Sequence, residues 1–416
     1  MKNILKSEFA KNISILVTGT VIAQIIPFLI APIITRIYSP SDFGFFSFYM
    51  SIAAGITVIC TARYDLAIVL PKNNNDAQKL ITLSFIICSI VSFFSLIVII
   101  IIILLKNIPV YFCLIPLFVF MLGFNQIFIN WNNRIKKYKQ ISFNRINNSI
   151  FGNLSMLGLG FLKTGTIGLI IGTFIGIIIS TLIFVRKDLK LLFHNIRFSK
   201  YSEIKEIAIQ HKEMPKTNTI QALIDMYQIN GLVYLIPIFF SSTILGLYSF
   251  GMRILQAPVN LLGSAIAQVF YQRASEKYNK NENIYPFLKD TIIRSAIIAI
   301  PIPVILLLKG EDLFAFIFSE NWRLAGLYAK ILSPWIYFDF IRMTISQTPI
   351  ILSKQKQLAS ISIFGSLIIT ISILYAGIIV KDITFGFYMI SILFSILNVI
   401  IIYWISKIAK QNIYKI

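Results

Sequence analysis

Five polar side chains, Arg253, Gln256, Asn260, Ser264 and Gln268, recur at intervals of 3, 4, 4 and 4 residues inside an otherwise apolar stretch. At about 100° of rotation per helical residue they stay within roughly 120° of arc, which makes one polar stripe along one helix. Polar groups inside hydrocarbon are costly unless they face other helices or water, so such a stripe points toward a lumen. A second stretch repeats the pattern with Asn218, Gln221, Asp225 and Gln228. Its carboxylate lies about 12 Å from the inner end of that helix. Three roles stay open for Asp225: exchanging a proton, binding a cation such as sodium, or holding a neighbouring helix. Gln24 shares a face with Thr20 and Pro27, and Lys330 shares one with Ser333 and Tyr337. Asp339 and Arg342, at i and i+3, are spaced to pair with each other. Arg36, Arg145 and Arg294 sit close to predicted helix ends, where snorkelling accounts for them. Arg253 and Lys330 lie deeper, and lumen-lining substrate contact is assigned to those two together with Gln24, Gln221, Gln228, Gln256 and Asn260.

These side chains need long apolar helices to carry them, and the composition supplies those. Of 416 residues 57% are hydrophobic and 13% charged, with a mean hydropathy of +0.79. That leaves too little polar surface for a water-soluble globule. The formal charge of +21 does not indicate nucleic acid, because the Lys and Arg residues fall between apolar runs and not on a polar domain. Hydropathy gives twelve spans, near 13–37, 43–62, 80–105, 110–129, 143–161, 167–185, 217–239, 246–270, 291–309, 324–345, 358–380 and 383–405. Pro301 and Pro303 interrupt the ninth, and the fifth is rich in Asn. The N-terminal stretch reads as a first helix and not as a cleaved signal peptide.

Alternate loops and both tails hold 27 basic residues against 5 on the opposite side. Both termini and the loop around His194 are therefore expected in the cytoplasm. The predicted architecture is an all-α, polytopic integral membrane protein with a lobe at 1–185, a basic amphipathic cytoplasmic linker at 186–216 and a lobe at 217–416. Leu189, Leu192, Phe193 and Ile196 mark the apolar side of that linker. Ser39, Gly44, Ser47, Phe48 and Met50 recur at an offset of 202 as Ser241, Gly246, Ser249, Phe250 and Met252. Two six-helix lobes related by a parallel repeat follow from that recurrence.

Cys60, Cys88 and Cys113 lie in apolar segments with no CxxC spacing, so neither a disulfide framework nor a metal site is indicated. No phosphate-cradling GxxxxGK[ST], GxSxG or HExxH motif is present, and no cofactor or enzymatic activity is expected.

The run Pro32-Ile33-Ile34-Thr35-Arg36-Ile37-Tyr38-Ser39-Pro40-Ser41-Asp42-Phe43-Gly44 and the run Arg63-Tyr64-Asp65-Leu66-Ala67-Ile68-Val69-Leu70-Pro71 resemble the Wzx-type O-antigen and polysaccharide flippases. Leu245-Gly246-Leu247-Tyr248-Ser249, Arg253, Ala257-Pro258 and Glu320-Asn321-Trp322 extend the likeness over nearly the whole chain. The resemblance implies membership of the multidrug, oligosaccharidyl-lipid and polysaccharide (MOP) exporter superfamily. It further implies alternating access in a bacterial inner membrane and an undecaprenyl-pyrophosphate-linked oligosaccharide as substrate, with the polysaccharide polymerase machinery as a partner. Arg presents paired planar donors that suit a pyrophosphate in a low-dielectric site. A drug or cation antiporter of the same superfamily is the alternative, and it would favour several deep carboxylates, whereas Asp225 is the one deep acid of this reading. A membrane-embedded polymerase would need larger outer loops than these.

Overall fold

The computed structural model describes residues 2–186, 188–190, 192, 200–352, 354 and 356–411. Among them every regular element is helical. In chain order these are α1 (Lys2–Ile37), α2 (Pro40–Ile59), α3 (Tyr64–Ala67), α4 (Asn74–Lys106), α5 (Ile115–Arg134), α6 (Tyr138–Phe161), α7 (Thr166–Val185) and α8 (Tyr201–Gln210). There follow α9 (Thr219–Phe239), α10 (Ser242–Asn279), α11 (Tyr285–Ala299), α12 (Pro301–Phe318), α13 (Arg323–Ile345), α14 (Thr348–Ile351), α15 (Lys356–Tyr375) and α16 (Ile383–Gln411). Each of the twelve predicted spans falls largely on helix. Ten helical stretches are long and apolar enough to cross a membrane, which makes the chain a multi-pass membrane protein. The two predicted spans outside that set are carried by α6, with its run of Asn, and by α13, which holds Lys330, Asp339 and Arg342.

The contacts divide the chain into two compact units, Met1–Tyr38 with Phe46–Met226, and Ser39–Phe45 with Tyr227–Ile416. In the first unit α6 packs against α1 and α7, and its polarity is absorbed there. Asn125 on α5 donates to Thr181 on α7 at 2.7 Å and exchanges amide hydrogen bonds with Asn144 at 3.1 and 3.4 Å. Ser142 and Ser149 donate to the carbonyls of Ile15 and Ala23 on α1. Close approach to α7 rests on glycine at four-residue spacing. A Cβ added at Gly172 would lie 2.6 Å from the Met156 nitrogen, and one at Gly176 would lie 2.6 Å from the Gly152 Cα. Small residues in that pattern let helix backbones meet where no hydrophobic driving force separates protein from lipid.

Two features at one end of this unit account for the Arg63-Tyr64-Asp65 run. Asp65 is buried, accepting from the Thr61 hydroxyl and from the Asn130 amide at 2.9 Å. Burial pushes its carboxyl above the usual range, against the opposing effects of Thr61 and Arg63. Tyr64 donates its hydroxyl to the Ala208 carbonyl on α8 at 3.1 Å. The connector is thereby tied down: Lys79 on α4 pairs with Glu203 at 3.0 Å, and Leu192 and Ile207 are buried against Ile68, Leu80 and Trp131. Phe193, His194 and Ile196 lie outside the described residues.

The second unit departs from the sequence reading at the ninth span. Helix does not stop at Lys309. Ile300 keeps helical torsions between α11 and α12, Pro301 occupies the first turn of α12, where its missing N–H costs nothing, and α12 runs on to Phe318. The distortion falls at Lys309, with φ −139° and ψ 15°. Immediately after it Gly310 meets α13, where a Cβ at Gly326 would run into the Gly310 carbonyl oxygen.

Candidate functional site

The α10 stripe lies on the exposed side of its helix. Arg253, Gln256, Asn260, Ser264 and Gln268 are all exposed, while Leu255, Val259, Gly263 and Ala267 are buried. Helix α13 covers the buried side. A Cβ at Gly251 would lie 3.1 Å from the Ala325 carbonyl oxygen, and one at Gly263 would meet Met343 and Phe340. Those two contacts advance together along both chains, so α10 and α13 run parallel. The stripe is turned roughly opposite to the α13-facing side by helical rotation. Arg253 sits about 16 Å along the helix from Ser242 at roughly 1.5 Å per residue. Among the described residues no carboxylate pairs with it. A guanidinium held at that depth, flanked by amides and without a counter-ion, is a ready receptor for an anion.

Lys330, the other deep cation of the sequence reading, is placed differently. It lies about 140° around α13 from Ala325, on the side that meets α12, and its ammonium is 3.7 Å from the Glu311 carboxylate. Both side chains are 37% exposed. Arg253 and Lys330 are thus presented on different sides of the α10–α13 pair, and the charge of Lys330 is offset while that of Arg253 is not. Glu311 is a residue that sequence reasoning missed, because the ninth span was ended before it. The adjacent Gly310, which with Gly326 allows α12 and α13 to touch, is the available signal. Glu311→Gln leaves Lys330 without its partner, and Lys330→Gln leaves the carboxylate alone. The double variant is therefore expected to retain more membrane-inserted protein than either single one, as measured by immunoblot at matched transcript. Exposed pairs contribute at most about 1 kcal/mol, so the expected effect is modest.

The remaining candidates divide between the units. In the first, Asp225 is half-buried and accepts from Gln221 at 2.9 Å. Asp65 is the more deeply buried acid of the two, and its partners Thr61 and Asn130 give it a structural place. Gln24 is half-buried on α1, one turn from Thr20, which accepts from Arg145. In the second, the Gln228 amide lies over Gly365 on α15, and Tyr227 shares a 2.7 Å hydrogen bond with Thr370 on the same helix. Gln228 is therefore packed against a neighbouring helix. Asp339 and Arg342 pair with each other at 2.6 Å, as their spacing predicts.

Residues 33–325 match the model of a family described as polysaccharide biosynthesis protein. No curated protein sequence matches the chain significantly. Among solved structures, the inward-facing form of a multidrug-resistance MATE transporter of the MOP superfamily superposes with a TM-score of 0.67 at 13% identity, over 95% of both chains. The lipid II flippase MurJ in an inward closed conformation gives 0.67 at 14% identity, over 96% of this chain and 90% of its own. A mutant of the Vibrio cholerae MATE transporter VcmN gives 0.59 at 13% identity, over 99% and 98%. At such identities the likeness is one of fold, and it is the fold that the sequence motifs imply. With a family match over residues 33–325 and a fold like those of the MATE transporter and of MurJ, this chain belongs to the polysaccharide biosynthesis protein family.

Proposed function

We propose that the protein is a flippase of the bacterial inner membrane, carrying an undecaprenyl-pyrophosphate-linked oligosaccharide, an O-antigen or related repeat unit, from the cytoplasmic to the periplasmic leaflet. One observation carries this reading: Arg253, exposed and with no carboxylate partner among the described residues, in a stripe of amides along α10. A pyrophosphate matches the paired donors of a guanidinium, and the amides suit sugar hydroxyls. Gln24, Gln221, Gln228, Gln256 and Asn260 supply such amides, and Lys330 becomes available to the substrate only where it leaves Glu311. The family supports a role in making a surface polysaccharide, and the fold supports transport by alternating access. No covalent bond is made or broken in this step, so the chain acts as a transporter and not as an enzyme. The excess of basic residues supports cytoplasmic termini, and 1–185 and 217–416 serve as two lobes about the 186–216 connector. Asp225 is the group proposed to couple the cycle to a proton or sodium ion, and the polymerase that extends the repeat units is the expected downstream partner.

Removing the chain from a strain that makes such a polysaccharide should abolish surface polymer and accumulate lipid-linked oligosaccharide in the cytoplasmic leaflet, with recovery on re-expression. Unchanged surface polymer together with increased sensitivity to cationic drugs would instead identify an antiporter.

A further inference from the structure

We propose that Cys60 and Cys88 form a two-thiol site for a soft monovalent metal ion of the copper(I) class. Both residues and those around them belong to the first unit, so the site does not depend on what the chain transports. The two sulfurs arrive from different elements. Cys60 directly follows α2 and Cys88 stands within α4, and both are free and buried. Gly123 on α5 faces the two together. A Cβ there would lie 2.6 Å from each sulfur, and outside α5 the next heavy atom is the Cys60 Cβ at 3.8 Å. The sulfurs are therefore no farther apart than twice the shorter distance, and they converge where position 123 has no side chain. A metal–thiolate bond is about 2.3 Å long, so one ion bridges sulfurs about 4.6 Å apart. The pair meets that span with at most a small side-chain rotation.

Ligand number and softness select the ion. Among the described residues no group of three or more His, Cys, Asp and Glu side chains converges on a metal position, so zinc, which takes four ligands in structural sites, is not satisfied here. Copper(I) bonds stably to two thiolates, and sulfur ligands favour it over hard cations. Asp65 is close by, but its oxygens accept from Thr61 and Asn130, and a carboxylate suits hard ions. The surroundings are also apolar. Phe85 on α4 stands edge-on to Phe120 and Phe124 on α5 at 5.9 and 5.7 Å, so a strongly hydrated ion would lose its water without replacement.

A second, independent observation points to the same chemistry. Ser84 and Ser92 lie one turn on either side of Cys88 along one face of α4. Both are buried, and neither hydroxyl oxygen has a hydrogen-bond partner. A thiol is a weak acceptor and leaves them unsatisfied. Binding changes that, because the ion replaces both S–H protons, which leave to solvent, and the resulting two thiolates and one cation carry one net negative charge. The hydroxyls then have charged sulfur to donate to. The Arg63 guanidinium, whose Nε is buried without a partner, acts on Cys60 electrostatically and offsets part of the added charge.

The test titrates reduced, purified protein with copper(I) under nitrogen against a coloured copper(I) chelator. Wild type and Cys113→Ser should each withdraw one equivalent of copper. Cys60→Ser and Cys88→Ser should bind at least about tenfold more weakly, and so should Gly123→Ala, which keeps both thiols but sets a methyl group between them. All variants are compared as monodisperse protein. A readout on wild type alone covers the case in which a variant misfolds: X-ray absorption of the bound copper should show two sulfur neighbours and no oxygen or nitrogen. Failure of wild type to withdraw copper, oxygen or nitrogen in its ligand shell, undiminished affinity in Cys60→Ser, Cys88→Ser or Gly123→Ala, or loss of binding in Cys113→Ser would each overturn the site.

Discussion

Arg253→Glu is expected to abolish polysaccharide export, Arg253→Ala to come close to abolishing it, and Arg253→Lys to retain part, with membrane levels of all three near wild type. The ordering follows from the site. Two charge-assisted hydrogen bonds from one guanidinium contribute about 3 kcal/mol, roughly a hundredfold in affinity, and Ala forfeits both. Lys keeps the charge but not the fork, so it holds a pyrophosphate oxygen as a point charge. Glu adds repulsion where salt screens poorly. Protein levels should survive because Arg253 lies on the exposed side of α10, away from the side that α13 covers. The measurement is complementation of a flippase-null strain with immunoblotting of membranes. Equal surface polymer from the Glu variant and wild type at matched expression would remove Arg253 from the substrate path.

Gly176→Leu should fail to accumulate in the membrane, whereas Gly158→Leu on the neighbouring helix should accumulate normally. A side chain at position 176 begins 2.6 Å from the Gly152 backbone, while nothing stands within 4 Å of a Cβ at position 158. Forcing α6 and α7 apart costs more than about 3 kcal/mol where backbone is the obstacle and cannot rotate away. It also strains the bonds of Asn144 and Asn125 to each other and to Thr181, which leaves amides unpaired in hydrocarbon. Fluorescence-detected size exclusion of tagged variants would decide it, and equal monodisperse yield from both would contradict the packing account.

Neither glycine can be told from the other by sequence. Both lie in apolar helical stretches, and which one meets a backbone depends on where α7 comes to rest against α6. The same limit explains the two cations. The α10 stripe was legible because it is a property of one helix, set by about 100° of rotation per residue, and Asp339 with Arg342 was legible for the same reason. Lys330 looked equally free, since nothing within α13 reveals that Glu311 arrives from α12 after a helix that continues past Lys309. Hydropathy and helical rotation suffice to show that the chain crosses a membrane as helices, roughly where each helix lies, and which face of α10 is polar, because both act over one or two dozen neighbouring residues. Which polar groups are partnered, where helix ends seat and which glycines are indispensable emerge with the folded chain, because those depend on atoms brought together from positions far apart along it.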